Sequence, residues 1–355
     1  MALPTRLASA LQARQLPALD GIRAIAAFLV VFYHCGSPLI PGGLGVLIFL
    51  VLSGFLITWL LFEEQDRHGK ISLRDFYIRR TLRIFPAFYV YWLIMVVRTA
   101  STGKIVWPQA ISSFFYVNNY YQAIFGDPNT GLSHTWSLGV EEQFYLLWPL
   151  SFLWLMRQPR SLAMRVLMIV IGAIWVYRGI LHLAGVWQGY AYEAFEARAD
   201  HLLIGCLLAF SLRSGIGQQI WQLLSSSAAY SWLIVGLLVG SVALENHYGT
   251  TYRNLLGFVI NPVLVALLIP LAMMEREGSW QWLGWGWIRQ LGRLSYSVYL
   301  YQQLTPGLIA KVLHEERNWA LFVAANTVLV ILMAAASFYC VERPFLHWKE
   351  RFSKR

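Results

Sequence analysis

Apolar runs follow one another along almost the whole chain, at least nine of them, and most are long enough to cross a bilayer. At membrane depth there is no water to satisfy backbone N–H and C=O groups, so only helices and closed barrels can span. The runs are continuous rather than alternating, which predicts an all-α, polytopic transmembrane helix bundle and not a barrel. With 57% hydrophobic and 13% charged residues in 355, against roughly 25% charged in ordinary soluble domains, the chain cannot be solvated as a globule. Ten spans are predicted, at about 20–36, 44–62, 82–100, 136–156, 164–186, 199–213, 230–245, 255–274, 292–313 and 319–341.

The net charge of +10 might suggest nucleic acid, but its distribution argues for topology instead. With the N-terminus cytoplasmic, twenty of the 28 Lys and Arg fall in inner loops and tails, Arg14, Arg276, Lys354 and Arg355 among them. That is the positive-inside bias, and it puts both termini on the cytoplasmic side of the inner (cytoplasmic) membrane. Arg23 within the first run and the lack of a small-residue cleavage site argue against a cleaved signal peptide. No repeat or linker is apparent, so one domain over 1–355 is expected, with tails at 1–19 and 342–355. Cys35, Cys206 and Cys340 are scattered, an odd count with no CxxC pattern, so neither a disulfide framework nor a metal site is expected.

Ionisable groups inside apolar runs are costly, and the default reading of them is functional. Arg23 and His34 both lie in LDGIRAIAAFLVVFYH. Eleven residues at about 100° each bring them to one helix face, roughly 16 Å apart along it. An imidazole can accept a proton from an attacking hydroxyl near neutral pH, so His34 is the general-base candidate. Arg23 either meets the donor or active site or pairs with Asp20 on the same face. Arg80 and Arg83, at i and i+3, form a fork suited to phosphates, although basic helix ends also bind lipid headgroups. Glu141 and Glu142 diverge by about 100°, so one is expected to face a cavity and the other to pair with an arginine such as Arg178 or Arg198. His134 precedes their helix, and Asn119 lies in the aromatic stretch SSFFYVNNYYQA, read as interfacial or re-entrant. Arg198 and Asp200 open the sixth run, where Asp is also an ordinary cap. Cys35 diverges from His34 and is rejected as a nucleophile.

These segments occur in a familiar order. LDGIRAIAAFLVVFYH, FLVLSGFLIT, FYIRRTLRIFPAF, HTWSLGVEEQFYLLWP, FEARADHLLIGCLLA, LGRLSYSVYL and CVERPF together resemble the acyltransferase 3 family of integral-membrane acyltransferases, over nearly the whole length. The resemblance implies transfer of an acyl group, usually acetyl from acetyl-CoA or another acyl-CoA, to a hydroxyl of a carbohydrate or glycolipid. It implies Arg80, Arg83 and Arg23 as acyl-CoA contacts and His34, Glu142 and Arg23 as the catalytic set. His134, Glu141, Arg198, Asp200, Asn119 and Gln302 would then contact the acceptor. The chain departs from the family pattern after SYSVYL, where Gln302 stands in place of a frequent histidine. Glutamine can orient a ligand but cannot take up a proton near neutral pH. Without a fused outer domain in the sequence, O-antigen or exopolysaccharide is the preferred acceptor. The rivals are a transporter, which should show inverted repeats and broken helix pairs, and a non-catalytic acyltransferase-like protein.

Overall fold

A computed structural model describes residues 4–12, 16–37, 40–274, 279–313 and 318–352, so Arg14, Arg276, Lys354 and Arg355 lie outside the described residues. Within these residues every element is helical. A short α1 (Thr5–Gln12) precedes three long helices, α2 (Pro17–His34), α3 (Gly42–His68) and α4 (Leu73–Ser101). Two short helices, α5 (Trp107–Phe114) and α6 (Asn118–Phe125), cap one end of the bundle before α7 (Thr135–Met156) and α8 (Arg160–Leu183). After a one-turn α9 (Gln188–Glu193) come α10 (Phe195–Ser214), α11 (Gln218–Leu224), α12 (Ala229–Tyr252) and α13 (Phe258–Met274). The chain closes with α14 (Gly286–Tyr301), α15 (Thr305–Ile309), α16 (Trp319–Ser337) and α17 (Arg343–Glu350).

Nine of the ten predicted runs are occupied by a long helix; the run at 292–313 is broken, since α14 ends at Tyr301 and only the short α15 follows the turn. Among the described residues, six helical stretches are long and apolar enough to cross a membrane, or seven if the bent α9–α10/α11 pair counts as one. One of the six is Ala229–Met274, 46 residues, or about 69 Å at 1.5 Å per residue, more than twice a hydrocarbon core. Its halves, α12 and α13, pack against each other, so the chain folds back between them. The reversal begins at Gly249, whose φ of 63° and ψ of −142° suit only glycine, and continues through a π-helical turn at Arg253–Gly257.

The centre of the bundle is α3 packed on α10 and on α2, with α14 against the other side of α2. The α3–α10 contact depends on glycine. A Cβ at Gly205 would sit 2.6 Å from Phe55 N, and one at Gly54 2.7 Å from the Leu202 carbonyl carbon. Small residues let membrane helices approach closely, where van der Waals packing rather than the hydrophobic effect holds them together. Between α8 and α10 the bundle buries an ion pair. Arg178 grips both oxygens of Asp200 at 3.2 and 3.0 Å, and it also donates to Ala197 O, Asn254 O and Phe258 O. Asn254 lies in the π turn and Phe258 directly after it, so Arg178 satisfies backbone that the irregular segment exposes, as buried polar groups require.

Candidate active site

Helix α4 starts cleanly because Ser72 Oγ accepts from Asp75 N at 3.3 Å, and its first turns carry Arg79, Arg80 and Arg83. Their fates differ. Arg79 is tied to Glu64 at 2.5 Å and donates to Phe352 O at 3.0 Å, an ordinary structural role. Arg80 and Arg83 turn into a cavity between α2, α3, α4, α7 and α14, where Arg23 joins them. The Arg80 guanidinium lies over the Tyr145 ring, 4.9 Å from its centre. Among the described residues no salt bridge joins Arg23 to Asp20, so the alternative of simple helix glue is not realised as an ion pair. Two wider cavities meet the first at Arg23 and Arg83. One is strongly basic, lined also by Arg67, Lys70 and Lys349; the other runs beside Asp20, Arg293 and Glu342.

Glu141, not Glu142, faces this cavity. Its Oε1 accepts from both Ser53 Oγ and Tyr145 OH, so α3 and α7 hold the carboxylate opposite the three guanidinium groups. Glu142 does not line this cavity, and its Oε1 has no hydrogen-bond partner. The sequence-based expectation gave the active role to Glu142, whereas the carboxylate lining the arginine cavity is that of Glu141. One residue along α7 rotates the side chain by about 100°, and the cavity lies on the Glu141 side.

The far wall of the cavity is Tyr299, which shares it with Ser137 and Phe49. Tyr299 OH meets Ser137 Oγ at 2.5 Å and donates to His134 O at 3.1 Å, and its ring packs edge-on to His134 with centres 5.4 Å apart. Beyond this tyrosine lies the histidine cluster. His34 Nδ1 bonds Val30 O at 2.9 Å, its Nε2 meets Gln303 Nε2 at 3.3 Å, and Gln303 Oε1 bonds His134 Nδ1 at 3.1 Å. His34 and Arg23 thus lie at opposite ends of one helix face, both turned into the bundle.

The remaining expected acceptor contacts separate into two groups. Arg198 is fully buried under Phe258, Tyr192 and Trp136, with ring centres 4.0, 5.0 and 5.7 Å from its guanidinium carbon. Its Nη1 reaches His201 Nε2 at 3.4 Å, while Nε and Nη2 have no partner. Those two nitrogens form the side-on edge that takes carboxylate or carbonyl oxygens, so Arg198 keeps binding capacity. Asp200, by contrast, is enclosed by Arg178, Trp175 (3.0 Å) and His201 (2.8 Å), leaving it a structural anchor and not an acceptor contact. Asn119 is spent in a buried amide pair with Gln143, at 2.8 and 3.3 Å, that holds α6 on α7. Gln302 is buried with neither amide atom bonded, and the contact to His34 comes from its neighbour. Sequence reasoning missed Ser53, Tyr145, Tyr299 and Gln303. A lone serine in the apolar run FLVLSGFLIT was the one available signal for Ser53.

A family profile described as "Acyltransferase domain" matches residues 16–342. The chain belongs to this acyltransferase family. It is 32% identical to the peptidoglycan O-acetyltransferase OatA of Listeria monocytogenes, across 94% of this chain and 55% of that protein. It is 30% identical to the putative peptidoglycan O-acetyltransferase YrhL of Bacillus subtilis, across 93% and 55% respectively. With the O-acetyltransferase OatA of Staphylococcus aureus the identity is 29%, across 96% and 58%. The chain therefore spans little more than half the length of these relatives. No solved structure matches it.

Proposed function

We propose that this protein is a multi-pass O-acetyltransferase of the cytoplasmic membrane, moving acetyl from acetyl-CoA to a hydroxyl of a cell-wall carbohydrate. The observation that carries the reading is the cavity in which Arg23, Arg80 and Arg83 converge with Glu141, open to a wider basic cavity. The ten spans and cytoplasmic termini expected from the charge bias set the Arg23 end on the inner side, where acyl-CoA is made available. Guanidinium groups in a forked, partly enclosed site suit the phosphates of a nucleotide-bearing donor. The roughly 16 Å between Arg23 and His34 then asks for a long, thin donor whose thioester reaches past Tyr299. His34 Nε2 takes the proton from the acceptor hydroxyl as its oxygen attacks the thioester carbonyl. The tetrahedral intermediate expels the thiolate, which recovers that proton from the imidazolium. Arg198, with its free side-on edge, is the acceptor contact. The relatives' names specify peptidoglycan, which shifts the preferred acceptor from O-antigen or exopolysaccharide to a wall glycan.

The test is transfer of labelled acetyl from acetyl-CoA to wall carbohydrate by the purified protein in vesicles. His34→Ala should abolish transfer, and Arg80→Ala/Arg83→Ala should raise KM for the donor. Full transfer by His34→Ala at wild-type protein level would refute the assignment.

A further inference from the structure

The contacts around His34 fix more than its orientation. Val30 O belongs to the backbone and can only accept, so the ring nitrogen 2.9 Å from it, Nδ1, carries a proton. In the neutral imidazole Nε2 is then the lone pair, and whatever meets it must donate. The group 3.3 Å away is the Gln303 amide, which must therefore present its NH₂ to His34. Its carbonyl oxygen then faces His134 Nδ1 at 3.1 Å, and this nitrogen must carry a proton as well. One backbone carbonyl thus sets the direction of every hydrogen bond in the chain from Val30 to His134. The relay ends at the buried ring of His134.

We propose that Gln303 is the positioning residue of the transfer reaction: with Val30 O holding the proton on Nδ1, its amide N–H holds the ring so that the Nε2 lone pair faces the acceptor site. The proposal rests on the reading of His34 as general base. In this state the amide N–H occupies the site that the acceptor hydroxyl must take, and an entering hydroxyl replaces one hydrogen bond by another. The protein–water exchange that makes such bonds worth little on the surface is absent here, so holding the wrong tautomer would be costly. His134 has a supporting part. By donating to Gln303 Oε1 it stops the amide from flipping, which would set an oxygen against the Nε2 lone pair. Gln302 cannot substitute, because it turns into the core one residue earlier.

Two readouts test this on the full chain in nanodiscs. The ¹⁵N signals of the histidine ring nitrogens report the tautomer directly, with His34 assigned by its loss in His34→Ala. The wild type should show Nε2 unprotonated. Gln303→Met, similar in length but without hydrogen bonds, leaves Val30 O as the remaining hold on the ring, so a minor Nε2–H form should become detectable and kcat should fall about tenfold with donor KM unchanged. Gln303→Glu offers only acceptors to both rings, so with Nδ1–H still held by Val30 O it should draw a second proton onto Nε2, remove the lone pair and cost roughly 100-fold, within the range general-base assistance supplies. Unchanged His34 ring-nitrogen signals in both variants, read on protein shown to be folded, would overturn the proposal whether or not the variants lost activity. With His34→Ala inactive, that result leaves the base assignment standing. An active His34→Ala with tautomer mixing in Gln303→Met would instead refute the base assignment and keep Gln303's hold on the ring.

Discussion

Glu141 and Glu142 are adjacent and chemically identical, yet replacement by glutamine should act on them very differently. Glu141 Oε1 receives two hydrogen bonds, from Ser53 on α3 and Tyr145 on α7. Glutamine keeps an oxygen there, so the bonds can persist while their charge assistance is lost. A bond to a charged group contributes about 1.5–3 kcal/mol and a neutral one about 0.5–1.5, so two bonds lose roughly 2–3 kcal/mol. At 2–4 °C per kcal/mol, Glu141→Gln should lower the thermal midpoint in detergent by roughly 5–10 °C. It also leaves Arg23, Arg80 and Arg83 facing one another without their carboxylate, which adds to the loss of stability. Glu142 Oε1 has no such partners, so Glu142→Gln should stay within about 1 kcal/mol of wild type. The assay is a thermal scan of the two variants beside acetyl transfer from labelled acetyl-CoA. Equal shifts, or a larger loss in Glu142→Gln, would refute the placement of Glu141 in the cavity.

Three further outcomes follow from the packing. Gly205→Ala places a Cβ 2.6 Å from Phe55 N where ordinary contact begins near 3.4 Å, so α3 and α10 must part by at least 0.8 Å. A loss of roughly 1–3 kcal/mol is expected, checked by the thermal midpoint and by faster labelling of the buried Cys206 thiol, which donates to Gly54 O at 3.4 Å. Asp200→Asn should cost about 3–5 kcal/mol by leaving the buried Arg178 charge uncompensated, and the paired change Arg178→Met/Asp200→Leu should recover part of it, read by thermal unfolding. Tyr299→Ala removes the wall between the arginine cavity and the histidines. It should raise hydrolysis of acetyl-CoA in the absence of carbohydrate, because water then reaches the thioester, and a thiol-release assay measures it.

The all-helical bundle was legible because its dominant constraint is local: a continuous apolar run must satisfy its own backbone, and all but the run at 292–313 became one long helix. Legible, too, was the inward face of Arg23 and His34, since helical spacing alone aligns them. Arg80 and Arg83 share a side by the same spacing, but it was the resemblance to the family that set them apart from Arg79, which pairs with Glu64. What stayed hidden depends on partners far away in sequence. Asp200 reads as an acceptor contact until Arg178, on another helix, closes around it. The choice between Glu141 and Glu142 turns on where Ser53 lies, and no period within α7 carries that information.

The misplacement of one residue at Gln302 has a different physical origin. Helical spacing can be extrapolated only while the helix lasts, and α14 stops at Tyr301. Gln302, Gln303 and Leu304 form a turn before α15, in which Leu304 N bonds back to Tyr301 O at 3.0 Å. That tighter turn swings Gln303 toward α2 and leaves Gln302 among core side chains. A histidine at 302 would therefore point into the core, away from the Gln303 relay. Substituting Gln302→His should leave the tautomer of His34 untouched, whereas Gln303→His, which can offer either a donor or an acceptor, should let it vary. The contrast between those two neighbours, read by the same ring-nitrogen spectra, separates a site set by family position from one set by where the helix ends.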